Sequence, residues 1–250
     1  MLALITGASS GIGRDMARIL AKQGYDLILV ARRRERLLEL KKELGTNITV
    51  ISMDLGVLEN NYKLYEKVRS KKIDVLINNA GFGLFGEFSK TDLDTELAMI
   101  DLNVKSYHIL TKLFLQDFVK RDAGYILNVC SSAGFMAGPR MATYYATKNY
   151  ITKLTMAINE ELRMAKSRVT ISALCPGPVA TEFNEVAHGT FAIREASSYE
   201  VAKYAIDKLF KRKMIIVPTF LMKLTLFFNR LAPHRLSLYI AYKIQKRKSK

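Results

Sequence analysis

The first thirteen residues constrain this chain more than any other stretch. Leu2-Ala3-Leu4-Ile5 is a short apolar run. It passes into Thr6-Gly7-Ala8-Ser9-Ser10-Gly11-Ile12-Gly13, and helical periodicity follows from Arg14 to Gly24. An apolar strand, a glycine-rich turn and a helix start make the opening βα unit of a dinucleotide-binding sheet. The glycines let the backbone approach a pyrophosphate, whose charge the free N–H groups at the helix start can bind. The spacing is Gly-x-x-x-Gly-x-Gly rather than the commoner Gly-x-Gly-x-x-Gly. The reading therefore rests on context, with a strand that begins at residue 2.

The alternation continues along the chain. Apolar runs near 2–6, 26–31, 48–52, 73–78, 124–130, 169–175 and 214–217 predict strands, and helices fill the gaps, two of them long, near 103–120 and 142–166. Mostly apolar strands separated by helices imply a parallel sheet covered on both faces. The expected fold is α/β: a doubly wound, Rossmann-type parallel sheet in the order 3-2-1-4-5-6, with a seventh strand at one edge. In such sheets ligands bind beyond the carboxyl ends of the strands.

Tyr144 and Lys148 stand four residues apart in Tyr144-Tyr145-Ala146-Thr147-Lys148, so on a helix they share a face. A free tyrosine hydroxyl has a pKa of roughly 10, and a nearby ammonium favours the phenolate and lowers it. Ser131 lies upstream in Cys130-Ser131-Ser132-Ala133-Gly134. At the end of the second strand, Leu27-Ile28-Leu29-Val30 runs into Ala31-Arg32-Arg33-Arg34. Selection of NAD usually places an acidic residue there to hold the ribose 2′-hydroxyl. Ala31 takes that place, and Arg32 and Arg33 offer charged forks for a 2′-phosphate. That pattern points to NADP(H).

Taken in order, Thr6 to Gly13, Asp54-Leu55, Asn78-Asn79-Ala80-Gly81, Asn103, Ser131, Tyr144/Lys148 and Pro176-Gly177-Pro178-Val179-Ala180-Thr181 resemble the short-chain dehydrogenase/reductase superfamily in its single-domain form. The resemblance spans residues 2 to 217. It implies hydride transfer between a nicotinamide and a carbonyl carbon. Tyr144 would be general acid/base, Ser131 the hydrogen-bond donor to the carbonyl oxygen, Lys148 a partner of Tyr144 and of the nicotinamide ribose, and Asn103 the holder of a relay water. The second, local role for Asn103 is to bond its own helix backbone and distort it. The cofactor would lie on Gly7, Ser9, Ser10, Gly11, Ile12 and Gly13, with Arg32 and Arg33 at the phosphate. Asp54 and Leu55 would meet the adenine. Asn78, Ala80 and Gly81 would line the middle, and Pro176, Gly177, Val179 and Thr181 would flank the carboxamide.

The substrate is less constrained. Phe82, Phe85, Phe135, Met136, Met141, Phe183 and Phe191 fall in the loops expected around it, which suits a hydrophobic or amphipathic ketone, and residues 179–198 are expected to form a lid. Cys130 and Cys175 fit buried thiols in a reducing cytosol, and the three scattered histidines suggest no metal. The reading places the chain in the cytoplasm, with no leader or anchor before Leu2.

Charge is uneven. Of a net +16, the stretch from Lys211 to Lys250 holds eleven Lys/Arg and no Asp/Glu, which leaves +5 for the first 210 residues. Residues 1–217 are expected to form the sheet domain, and 218–250 a basic amphipathic helical extension packed on it. Val217, Leu221, Leu224, Phe228 and Leu231 recur at helical spacing and are expected to cover the sheet edge. Weak peripheral contact with an anionic membrane is the alternative. Nothing accompanies the charge as a nucleic-acid recognition motif. A homodimer paired through the two long helices is expected. The competing functional class is a cofactor-binding regulatory or scaffold protein that acts through its basic tail at a membrane surface.

Overall fold

A computed structural model describes residues 1–183 and 195–246. Seven parallel strands form one sheet in the order β3-β2-β1-β4-β5-β6-β7. They are β1 (Leu2–Thr6), β2 (Asp26–Ala31), β3 (Ile48–Ser52), β4 (Val75–Asn78), β5 (Tyr125–Val129), β6 (Thr170–Leu174) and β7 (Ile215–Ile216). This is the expected doubly wound order, and the switch point falls between β1 and β4.

Side-chain alternation explains the two covered faces. Ala3, Ile5, Leu27, Leu29, Val75, Ile77, Leu127 and Val129 point to one side, where α1 (Gly11–Lys22), α2 (Arg34–Glu43) and α7 (Ser198–Phe210) pack on them. Their neighbours Leu4, Ile28, Val30, Leu76 and Ile126 point to the other, against α3 (Leu58–Val68), α5 (Tyr107–Lys120) and α6 (Ala142–Met164). Strands buried on both faces need no polar alternation, and these have almost none.

The long helix expected at 103–120 is more elaborate. α4 (Leu93–Ile100) runs through a π-helical turn at Asp101–Ser106 into α5. Behind it lies a buried polar stack. Asn78 Nδ2 donates to Asn128 Oδ1 at 2.9 Å and to Thr111 Oγ1 at 3.2 Å, and Asn128 Nδ2 donates to Thr155 Oγ1 at 2.9 Å. These bonds tie β4, β5, α5 and α6 together and hold the site-bearing elements in register, while Asn78 Oδ1 stays buried without a hydrogen-bond partner.

After β7 come α8 (Phe220–Leu231) and α9 (His234–Lys246). Pro233 ends α8, because the residue before a proline avoids the helical region, and Ala232 is extended at ψ 141°. Met222 is buried and Leu226 packs beside it, against a cluster that includes Tyr107, Cys130, Ile151, Cys175 and Val217. The expected cover differs from this. Of the stripe residues only Val217 turns inward, while Leu221, Leu224, Phe228 and Leu231 are exposed.

Candidate active site

The cleft begins at the glycine turn. Gly7 and Gly11 have φ of 64° and 52°, a region that favours glycine. A Cβ on Gly7 would stand 2.8 Å from Ala80 Cα, and one on Gly13 would stand 2.6 Å from Gly7 O. Gly13 therefore serves close packing and does not line the cleft, whereas Gly7, Ser9, Ser10, Gly11 and Ile12 do. Ser10 caps α1 without a side-chain bond, so the first-turn N–H groups of α1 carry no side-chain cap. That is the donor set an anion needs.

The chemical groups lie at the ends of β5 and β6. Ser131 starts a 3-10 turn (Ser132–Phe135), and its Oγ accepts the Ala133 N–H at 3.1 Å. This turn lies directly on α6. A Cβ on Gly134 would come within 2.1 Å of Thr152 Oγ1 and 2.9 Å of the Lys148 carbonyl oxygen. Only glycine allows that approach, and it sets Ser131 beside Tyr144. Tyr144 and Lys148 are both nearly buried and both line the cleft. Lys148 Nζ donates to the Val129 carbonyl at 3.0 Å and sits 5.3 Å and 5.9 Å from the ring centroids of Tyr107 and Tyr144.

The electrostatics differ from the sequence expectation. Burial pushes the Tyr144 hydroxyl well above its ordinary value, and the Ser131 hydroxyl pulls only part of the way back. The Lys148 ammonium does not bring it down. Burial also lowers Lys148, to about 8. Desolvation disfavours the charged form of each group, so the tyrosine here is a protonated donor.

Asn103 is fully buried and does not line the cleft. Its Nδ2 donates to the Phe82 carbonyl at 2.8 Å and to Thr147 Oγ1 at 3.3 Å, while its Oδ1 accepts the Phe82 N–H at 3.1 Å. The helix is distorted there as expected, but the side chain bonds a neighbouring loop and not its own backbone. Asn78, expected on the cofactor wall, is buried in the polar stack behind it, and Asn79 lines the cleft in its stead.

Ala80, Gly81, Asp54 and Leu55 reach the cleft, as do Pro176, Gly177, Val179 and Thr181 beyond β6. Arg32 is mostly exposed, 3.9 Å from Asp54. Arg33 folds over the glycine turn, donating to Ser9 Oγ at 3.2 Å and Ser10 Oγ at 3.0 Å. Its other nitrogen meets Glu182 at 2.8 Å, and Arg36 holds the same carboxylate at 2.5 Å. Ala31 keeps a carboxylate off the strand end, yet Glu182 brings one from 149 residues away. No local pattern signals that contact.

Phe82, Met136, Met141 and Phe183 line the cleft together with Tyr144, with the Phe183 ring 5.4 Å from that of Tyr144. Phe85 and Phe135 pack behind this wall, and Phe191 lies outside the described residues. So does most of the expected lid. Its two ends are joined, Ala180 N to Ala196 O and Ala196 N to Pro178 O, each at 3.0 Å. The tail adds Met222, Thr225, Ala241, Ile244 and Gln245, which sequence reasoning did not place here. Gln245 Nε2 donates to Tyr145 Oη at 2.9 Å. The cleft holds about 450 Å³. Among the described residues no group of His, Cys, Asp and Glu could hold a metal.

The family model for short chain dehydrogenases matches residues 1–190. The NADP-dependent 3-hydroxy acid dehydrogenase YdfG of Escherichia coli is 35% identical over 193 residues, 74% of this chain and 76% of that protein. A short-chain dehydrogenase from Sphingobium yanoikuyae in complex with NADPH superposes with a TM-score of 0.81 at 29% identity, over 88% of both chains. The bulky-bulky ketone specific alcohol dehydrogenase of Comamonas testosteroni gives 0.78 at 28% identity, over 88% of this chain and 86% of that one. This chain belongs to the short chain dehydrogenase family, and it is an oxidoreductase of that family.

Proposed function

We propose that this chain is an NADP(H)-dependent reductase that converts a hydrophobic or amphipathic ketone to a secondary alcohol. The observation that carries the reading is the convergence of Tyr144, Ser131 and Lys148 on one end of a cleft whose other end is the glycine turn and Arg33. The donor set suits a dinucleotide. The N-terminus of α1 would hold the pyrophosphate, Arg33 and Arg32 the 2′-phosphate, and Asp54 and Leu55 the adenine. Ala80, Gly81 and Lys148 would meet the nicotinamide ribose, with Pro176, Gly177, Val179 and Thr181 around the carboxamide. The bound nicotinamide supplies or takes the hydride.

Tyr144 keeps its proton at neutral pH, so in the reductive direction its hydroxyl hands that proton to the substrate oxygen. The Ser131 hydroxyl donates to the same oxygen as negative charge develops. Lys148 is held by the Val129 carbonyl, 5.9 Å from the centroid of the Tyr144 ring, where its ammonium would bind the nicotinamide ribose. Asn103 is a positioning residue that clamps both backbone groups of Phe82, one wall of the substrate end. Phe82, Met136, Met141 and Phe183 favour a substrate with apolar groups around its carbonyl, and the likeness to a bulky-ketone enzyme supports that class.

A panel of ketones, with NADPH oxidation followed by absorbance, tests the proposal. NADPH binding without turnover on any ketone or reverse turnover on any alcohol would sink it. The two free, buried thiols fit a reducing cytoplasm. Pairing of α5 and α6 with a second copy would give a dimer. Exposed Tyr150, bonded to His108 at 2.9 Å across those two helices, supports that face, and light scattering reads the state.

A further inference from the structure

The two helices after β7 have opposite faces with different work. Met222, Leu226 and Asn229 turn α8 toward the domain. On the opposite side Phe220, Leu224, Phe227, Phe228 and Leu231 recur at helical spacing and are between 42% and 79% exposed. α9 adds exposed Leu236, Tyr239 and Ile240. Monomeric soluble proteins rarely leave an apolar face of that extent uncovered. Its flanks are basic: Lys223 and Arg230 on α8, Arg235 and Lys243 on α9, with no Asp or Glu anywhere from Lys211 to Lys250.

We propose that α8 and α9 form a docking face for the surface of a bilayer that contains anionic lipids. An apolar stripe with aromatic residues, flanked by cations and free of acidic groups, is the pattern of a helix lying in the interface plane. The charge selects the occupant. A second copy of this chain would bring its own Lys223, Arg230, Arg235 and Lys243 to the same face, whereas anionic headgroups neutralise them. The geometry is that of lying on a membrane and not of crossing it. The helices have 12 and 13 residues, and among the described residues no helix is long and apolar enough to span.

The docking face is also the back of the cleft wall. Met222 and Thr225 from α8, and Ala241, Ile244 and Gln245 from α9, line the cleft. Gln245 is 2% exposed and anchors α9 through Tyr145, the neighbour of Tyr144. A bilayer under these helices would lie about one helix diameter, roughly 10 Å, from the cleft. The docking itself does not depend on the oxidoreductase reading, so the two can fail separately.

The chain contains no tryptophan, so Phe227→Trp places a single reporter on the stripe. With vesicles of phosphatidylcholine containing about one-third phosphatidylglycerol, its emission should shift to the blue and resist quenching by iodide. The parent protein should sediment with the same vesicles, and at least about tenfold less with pure phosphatidylcholine or at high salt. The triple variant Phe227→Ser, Phe228→Ser, Leu231→Ser removes exposed groups only. It should keep its circular dichroism spectrum and its nucleotide binding, and lose sedimentation. Emission unchanged by excess anionic vesicles would overturn the proposal. So would sedimentation that survives the triple substitution. Self-association in the absence of lipid that the triple variant abolishes would overturn it too, by assigning the face to a second copy.

Discussion

Glu182 stands between two guanidinium groups, 2.8 Å from Arg33 and 2.5 Å from Arg36, and Arg33 in turn donates to the serines of the glycine turn. The arginines hold its carboxyl below the usual carboxylate range, with Arg33 the main cause. An anion is therefore already seated on the group that a 2′-phosphate would use. Glu182→Gln should free Arg33 and tighten NADPH binding about three- to tenfold, with little change for NADH. The pairs are partly exposed, so screening keeps the effect in that modest range. Titration of both nucleotides by fluorescence checks it. Equal changes for the two would show that Glu182 does not compete at the phosphate position.

The same contact separates the two arginines that the sequence treats alike. Arg33 is fixed by Ser9, Ser10 and Glu182, whereas Arg32 is 75% exposed in its side chain and 3.9 Å from Asp54. Arg33→Ala should weaken NADPH about tenfold or more, in keeping with charge-assisted bonds of about 1.5–3 kcal/mol. Arg32→Ala should cost less, since an exposed and mobile fork gives up entropy to bind. Dissociation constants for the two variants with NADPH decide the order, and the reverse order would refute it.

Tyr144→Phe removes one hydroxyl from a packed site and leaves the ring against Phe183. Turnover should fall by about 10² to 10⁴, the usual contribution of a general acid. NADPH affinity should stay within a factor of about two, because the binding groups at the glycine turn are untouched. Steady-state kinetics on any ketone that the parent reduces, with a binding titration alongside, reads both. Unchanged turnover would remove Tyr144 from its role.

Most of this architecture was legible in the sequence because it depends on short-range patterns. Leu2–Thr6 and Leu27-Ile28-Leu29-Val30 are apolar runs ending in turns, and period two assigns their residues to opposite faces. That Ser131, Tyr144 and Lys148 line one cleft was legible through the order of motifs that carries the resemblance, since the spacing of Tyr144 and Lys148 gives only a shared helix face. Three things were not. Asn78 and Asn79 are adjacent and chemically alike, and which one turns inward depends on where β4 ends, with Asn78 its last residue and Asn79 just beyond it. Glu182 meets Arg33 across 149 residues, beyond any local signal. The stripe of α8 has the right period, but period alone does not say which face of an amphipathic helix meets the protein. Met222 and Leu226 lie on one side of α8, Leu224 and Phe228 on the other, and both sides are apolar.

Lys148 carries the clearest pH signature. Burial lowers its pKa from 10.5 to about 8, so below pH 8 the fold holds a charged ammonium that the unfolded chain would hold more easily. The sign follows from proton counts. Between about pH 8 and 10.5 the unfolded chain binds the proton and the folded one does not, so this group's contribution to stability rises with pH across that window. Below it the full penalty applies. Lys148→Met removes the charge and keeps much of the volume. It should stabilise the protein at pH 7 by an amount on the order of 1–3 kcal/mol, reduced by loss of the bond to the Val129 carbonyl. The gain should shrink toward pH 10, where the parent lysine is neutral when folded. Urea unfolding of parent and variant at pH 7 and pH 10 measures the difference directly. A gain that does not change with pH would mean that Lys148 keeps its proton across the window and that burial does not set its pKa.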